Sequence, residues 1–387
     1  MEAYLDNAAT TRVFPEVREM MKKVMDEDFG NPSSKHSKGI AAEQYIKEAK
    51  EIIAGTLKCQ PKELVFTSGG TESNNLAFLG TALANQRAGK HIITTRVEHA
   101  SVHEPLAFLE EMGYEVTYLP VDKKGQVSVE TVKNAIREDT LMVSVMYVNN
   151  EVGSVMPIEK IGQMLHQEYP KVLFHVDAIQ AYGKYKIIPK KSHIDLMSVS
   201  GHKIHGPKGV GFLYIRDGVK IRPILFGGGQ QKGMRSGTEN VPGIIGMAVA
   251  AKQMYQSHNE KREKLYRLKN MLIEGLQQME GVTVHAVEDI PLEETAPHIV
   301  SAGFTSVKSE VMLHALAQEG IFVSSGSACS SNHPELSGTL QAIGVRQDLL
   351  DSTLRFSFSV ETTEQEIAYA LEVIQKVLPV LRRFTKQ

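Results

Sequence analysis

The chain has 387 residues, of which 43 are basic and 45 acidic, giving a formal net charge of −2 at pH 7, and 42% are hydrophobic. So even a balance gives no electrostatic reason to expect nucleic acid or a membrane surface as the main partner. A chain this apolar, and longer than the ~250–300 residues at which single cores stop growing, predicts two domains acting on small molecules.

No apolar run reaches the ~18 residues of a membrane span, and Met1 to Thr11 lacks the cationic-then-apolar pattern of a leader, so a soluble, cytoplasmic protein is expected. Cys59 and Cys329 are the two cysteines. They make neither a disulfide framework nor a zinc site, and no metal is expected. Any cysteine chemistry rests on one thiol.

In chain order, helical periodicity predicts helices over 15–28 and 40–57, separated by the breaker Phe29-Gly30-Asn31-Pro32-Ser33-Ser34. A short strand over 63–67 then runs into Ser68-Gly69-Gly70-Thr71-Glu72-Ser73 and a helix to 83. Strand, glycine turn, helix offers free N–H groups and a positive dipole end to a phosphate, although Thr71 and Glu72 also read as plain helix caps. Alternation continues with strands over 91–95, 114–121, 141–148, 172–176 and 194–199 and helices over 104–112, 129–137 and 158–168. The near-continuous apolar strands predict an α/β fold, a mostly parallel sheet with helices on both faces.

In such sheets ligands bind beyond the strands' carboxyl ends. Thr71, His99, Asn150, Asp177, Gln180, Ser200, His202 and Lys203 all follow predicted strand ends. A buried lysine there tends to lose its proton and become a nucleophilic amine that condenses with aldehydes; read alone, Lys203 also fits a loop cation among turn glycines. The run 226–240 is a glycine-rich loop suited to a phosphate or a subunit contact. A long helix over 241–280, bent near Ser257-His258-Asn259, leads to strands over 282–285, 298–303 and 320–324 and helices over 310–317 and 364–381. This change of character predicts a smaller α+β domain, residues 1–14 with 260–387, beside a large domain over 15–259. Cys329 lies among small residues in 324–338, which predicts a mobile loop with an exposed thiol. Cys59 reads as incidental.

An aldehyde-capturing lysine, a helix N-terminus and a strand-end carboxylate together suit pyridoxal 5'-phosphate. The aldehyde goes to Lys203, the phosphate to the Thr71 turn and the ring nitrogen to Asp177, whose charge keeps that nitrogen protonated. His99 is placed to stack on the ring, and Asn150 and Gln180 to hydrogen-bond its phenolic oxygen.

The motifs Tyr4-Leu5-Asp6-Asn7-Ala8-Ala9-Thr10-Thr11, Thr67-Ser68-Gly69-Gly70-Thr71-Glu72-Ser73-Asn74-Asn75, Glu98-His99, His175-Val176-Asp177-Ala178-Ile179-Gln180, Ser200-Gly201-His202-Lys203, Arg235-Ser236-Gly237-Thr238 and Ser324-Ser325-Gly326-Ser327-Ala328-Cys329 span nearly the whole chain. In them the chain resembles the cysteine desulfurases of the class V aminotransferase family, of the NifS-like type with a long cysteine loop. The resemblance implies pyridoxal-phosphate fold type I and conversion of L-cysteine to L-alanine. The sulfur would pass as a persulfide on Cys329 to an acceptor protein, an iron-sulfur scaffold or a tRNA thiolase. It implies that Lys203 carries the cofactor and that Gly70, Thr71, Ser200 and His202 hold its phosphate, with Thr238 added across a homodimer interface. It implies further that Arg355 and Asn150 bind the substrate and that His99 assists catalysis. Two departures stand out: after Arg355 the run reads Ser357-Phe358-Ser359-Val360-Glu361 where better-known members have Leu-Gly-Arg, and the long C-terminal tail of housekeeping relatives is not seen before Gln387, which leaves the acceptor open. A class V aminotransferase or selenocysteine lyase, and a non-catalytic binding subunit, are the competing readings; Cys329 argues against a plain aminotransferase, which needs no thiol, and Lys203, Asp177 and His99 argue against the last.

Overall fold

The computed structural model describes residues 1–288, 290–325 and 336–385. Its first elements are β1 (Ala3–Tyr4), α1 (Pro15–Asp26), α2 (Ser37–Leu57), β2 (Leu64–Thr67), α3 (Gly70–Ala84), β3 (His91–Thr95), α4 (Ala100–Glu111), β4 (Glu115–Leu119) and α5 (Val129–Ala135). There follow β5 (Thr140–Met146), α6 (Ile158–Glu168), β6 (Leu173–Asp177), β7 (Leu196–Ser200), β8 (Gly211–Ile215), α7 (Val241–Tyr255) and α8 (His258–Gln277). The remainder comprises β9 (Val282–Val284), β10 (Ile299–Phe304), α9 (Ser309–Gln318), β11 (Ile321–Phe322), β12 (Ser324–Ser325), α10 (Gly338–Ala342), α11 (Gln347–Leu350), β13 (Thr353–Ser357) and α12 (Glu364–Thr385).

Seven strands form the large sheet in the order β2-β8-β7-β6-β5-β3-β4. From β7 to β4 all neighbours are parallel, whereas β8 runs antiparallel to both β7 and β2. Every residue of β5 and β7 is buried, as expected of strands covered on both faces. One face packs Phe174, Val176 and Met197 with residues of α1, α2 and α7; the other packs Leu141, Leu196 and Leu213 with α3 and α4. The chain steps outward from β3 to β4, then returns to the other side of β3 as β5 and continues to β6 and β7. That reversal opens a crevice at the carboxyl ends of β3 and β5, the place where ligands bind in open α/β sheets.

A four-stranded antiparallel sheet, β12-β13-β10-β9, forms a second body of structure. Its core joins Phe304 and Phe356 to Leu272, Met312 and Ile374 of α8, α9 and α12. Ala3 and Leu5 belong to the same core, and β1 pairs with β11, so the N-terminus packs with the last third of the chain.

Several elements differ from the sequence expectation. The single bent helix over 241–280 is two helices: Gln256 is extended and Ser257 left-handed, at φ 48°. The break lets the nearly all-apolar α7 serve the large core while amphipathic α8 serves the small one. β8 was hidden by its flanking glycines, which read as turn residues. β13 was hidden because a buried arginine, Arg355, interrupts its apolar pattern.

Gly211 is a tight point of the β2–β8–β7 seam: a Cβ there would stand 2.4 Å from the Val199 carbonyl oxygen and 2.8 Å from Gly69 Cα. Gly55, on α2, has nothing within 4 Å. Gly211→Ala is therefore expected to destabilise the apo-protein by ~1–3 kcal/mol, and Gly55→Ala to stabilise it by up to ~1 kcal/mol, in paired urea titrations. A Gly211→Ala midpoint equal to wild type would show that the seam yields without cost.

Candidate active site

A cavity of about 450 Å³ opens at the carboxyl ends of the central strands. Asp6, Gly70, Thr71, His99, Asn150, Asp177, Gln180, Ser200, His202, Lys203 and Arg355 all line it. Among the described site residues singled out from sequence, Thr238 is not part of this wall. Thr238 is an exposed residue of the glycine-rich loop, and Cys329 lies outside the described residues.

Lys203 ends a short helical turn that follows β7, and its side chain is half-buried. Nζ donates to the carbonyls of Ala8 and Ala9, at 2.6 Å each. The turn is held from the same side, since the Thr11 N–H and hydroxyl both donate to the His202 carbonyl, at 2.9 and 2.8 Å. Behind it the fully buried Lys184 donates Nζ to the Lys203 carbonyl at 2.6 Å, and burial with the nearby Lys203 charge brings the Lys184 amine down to about 7.

Asp177 ends β6. Its Oδ1 accepts from the Ile179 N–H at 3.0 Å and its Oδ2 from Asn74 Nδ2 at 2.9 Å. Burial raises its pKa, an effect offset in part by these two neutral donors and, after them, by the neighbouring His99 and Lys203. A buried carboxylate with neutral donors and no cation within salt-bridge distance among the described residues fits a protonated ring nitrogen, which would supply the missing positive charge. Beside it, His99 Nδ1 accepts from the Ser101 N–H at 3.0 Å and lies 2.9 Å from the Ser101 hydroxyl. Burial lowers the His99 pKa, so the ring is neutral and carries its proton on Nε2.

The other end suits a phosphate. α3 begins at Gly70 with no side-chain cap, which leaves its first N–H groups to a ligand. Glu72, the acidic residue of that first turn, is turned aside: Oε2 accepts from the Ser68 N–H at 2.8 Å, and Arg235 Nε and Nη2 clamp both carboxylate oxygens at 2.8 and 3.1 Å. The Thr71 and Ser200 hydroxyls make no hydrogen bond among the described residues and line the same end. His202 is pushed down to about 4, chiefly by burial and then by Lys203, and so offers a neutral imidazole. Gln180 donates Nε2 to the Ala8 carbonyl at 2.9 Å, and its Oε1 lies 3.3 Å from Nε2 of the buried His298.

Arg355 stands on β13, 6% exposed. Nη1 donates to the Asn150 carbonyl and Nη2 to Asp6 Oδ1, both at 2.9 Å. Asp6, Asn74, Ser101 and Lys184 were not assigned roles from sequence. Asp6 and Asn74 lay within the quoted motifs but follow no strand expected from the sequence, and Lys184 had no signal beyond a lysine after a glycine.

The Aminotransferase class-V family model matches residues 3–369. A Bacillus subtilis (strain 168) relative described as "Putative cysteine desulfurase IscS 1" is 44% identical over 376 residues, 97% of this chain and 98% of that one. A solved structure described as "NIFS-LIKE PROTEIN" superposes with a TM-score of 0.92 at 38% identity, covering 98% of this chain and all (100%) of the other. A second, "SspA in complex with cysteine", gives 0.79 at 34%, covering 93% and 100%. With this match from end to end, laid over a cavity built for an aldehyde, a phosphate and a ring nitrogen, the chain belongs to the class V aminotransferase family of pyridoxal-phosphate enzymes.

Proposed function

We propose that this chain is a pyridoxal-phosphate-dependent cysteine desulfurase that converts L-cysteine to L-alanine and passes the sulfur, as a persulfide on Cys329, to an acceptor protein. The observation that carries the reading is the convergence of Lys203, Asp177 and Arg355 on one cavity. When bound, pyridoxal phosphate supplies the electron sink for bond breaking at the substrate's Cα and Cβ. Lys203 holds the aldehyde end and Asp177 the ring nitrogen. Gly70, Thr71, Ser200 and His202 hold the phosphate. His99 lies beside the ring with its Nε2 proton as a donor, and Asn150 and Gln180 take the phenolic oxygen.

Arg355 receives the α-carboxylate, with Asn150 beside it. The Cys329 thiolate attacks the substrate sulfur; an S–S bond forms as the Cβ–S bond breaks, and the electron pair stays with the carbon skeleton. L-Cysteine and a protein thiol thus give L-alanine and a persulfide, with no external oxidant or reductant. We further propose a cytoplasmic homodimer in which Thr238 serves the partner's phosphate site; its exposure outside its own cavity supports that role. The acceptor is an iron-sulfur scaffold or a tRNA thiolase. The large domain is 15–259, and the shared core of Leu5 with α8, α9 and α12 supports joining 1–14 to 260–387.

Cys59 is a poor rival for the sulfur, since burial and then the Glu63 charge push its thiol up to about 12. After incubation with L-cysteine, mass spectrometry is expected to find one added sulfur on the Cys329 peptide and none on the Cys59 peptide. Cys329→Ser should bind L-cysteine, seen as a change in the visible spectrum, yet form alanine at a negligible rate. Alanine at the wild-type rate from that variant would refute the sulfur-transfer step. Charge-assisted hydrogen bonds contribute ~1.5–3 kcal/mol, so Arg355→Ala should lower kcat/KM for L-cysteine by about tenfold or more. An unchanged value would place the carboxylate elsewhere.

A further inference from the structure

The reading above, on which this inference rests, leaves Asp6 without a task. Arg355 is committed on two sides, to the Asn150 carbonyl and to Asp6 Oδ1, at 2.9 Å each, while its Nε is buried with no partner among the described residues. Asp6 differs from an ordinary buried counter-ion. Its side chain keeps 21% of its surface, it lines the cavity itself, and among the described residues its Oδ2 accepts no hydrogen bond.

The other charged and titratable groups of the wall are Lys203 and His202 after β7, Asp177 at the end of β6, His99 before α4 and Arg355 on β13. Lys203 is engaged by the Ala8 and Ala9 carbonyls, and both histidines are neutral because burial lowers their pKa values. Arg355 is thus the cation placed for a substrate carboxylate, with a second N–H on each of Nη1 and Nη2 beyond those given to Asn150 and Asp6, and Asp6 stands directly against it. A single carboxylate can share the guanidinium with Asp6. A second anionic group on the same small molecule would meet the Asp6 carboxylate at close range, in a cavity of about 450 Å³ that must also hold the cofactor.

We infer that Asp6 is a specificity-determining residue, which holds Arg355 for one α-carboxylate and excludes amino acids whose side chains carry a second negative charge. The site thereby selects amino acids with neutral side chains.

The test uses L-alanine and L-aspartate, which differ by one carboxylate, titrated into the holoenzyme while the visible absorption of the bound cofactor is followed. The wild type is expected to bind L-aspartate about tenfold or more weakly than L-alanine. Asp6→Asn should bring the two affinities to within about threefold of each other, and Asp6→Glu should restore the gap. Asp6→Ser serves the same comparison if the asparagine variant does not fold. Equal affinities in the wild type would overturn the inference. So would a wild-type ratio retained in Asp6→Asn with both ligands weakened alike, since Asp6 would then be only a support for Arg355. Turnover of L-cysteine by the wild type tests the underlying reading separately.

Discussion

One residue, Ala8, ties the two bodies of structure together through its backbone. Its carbonyl accepts from Lys203 Nζ, after β7, and from Gln180 Nε2, after β6. Its N–H donates to Ser357 Oγ, at the end of β13, at 2.8 Å. Ser357 is fully buried, and its backbone N–H donates to the Leu5 carbonyl at 2.7 Å. The N-terminal strap therefore runs as a seam between the large sheet and the small one. Lys203 and Arg355, which come from the two sheets, can face one cavity because this seam holds the sheets in register at that point. Ser357, at the end of β13, makes the clasp.

The crevice itself is stapled by a carboxyl group. Glu98 Oε1 accepts from the Thr95 hydroxyl at 2.8 Å and from the Met146 N–H at 2.9 Å, which joins the ends of β3 and β5. Glu98 is buried and its pKa is pushed up to about 8 by desolvation, so at neutral pH the group is mostly the uncharged acid. A neutral staple makes sense here. Asp177 lies close enough to raise the Glu98 pKa further, and a second full negative charge would compete with Asp177 for whatever cation the site holds. The staple also fixes the start of α4, where His99 caps its own helix through Nδ1 and so keeps Nε2 as its outward donor.

The sheet was legible in the sequence because its strands are buried on both faces and read as apolar runs; β3 and α6 fall on the predicted residues. What failed was local composition read without tertiary context. Glycine in β8 reads as turn, although at Gly211 the small residue is demanded by the closeness of Val199 and Gly69. Arginine in β13 reads as surface, although Arg355 is buried against Asp6 and the Asn150 carbonyl. The cavity wall was legible for the same reason as the sheet, since ligand groups follow strand ends. Its supports were not. Asp6 reaches the site from a strap that pairs with the far end of the chain, and Asn74 reaches Asp177 from one turn inside α3. Neither relation is encoded by spacing along the chain.

The distribution of charge explains how one small cavity can handle three charged groups at once. Burial keeps His99 and His202 neutral, so the end of the cavity at α3 offers the helix dipole, hydroxyls and an imidazole, donors that compete weakly with Arg355 for a carboxylate. Arg235 neutralises Glu72 at the helix start, where an unpaired carboxylate would oppose a phosphate. At the opposite wall Arg355 and Asp6 form a pair of near-zero net charge, and Asp177 stands apart against the ring position. The two carboxylates of the wall are therefore held in different ways, Asp6 by the Arg355 cation and Asp177 by the neutral Ile179 N–H and Asn74 amide.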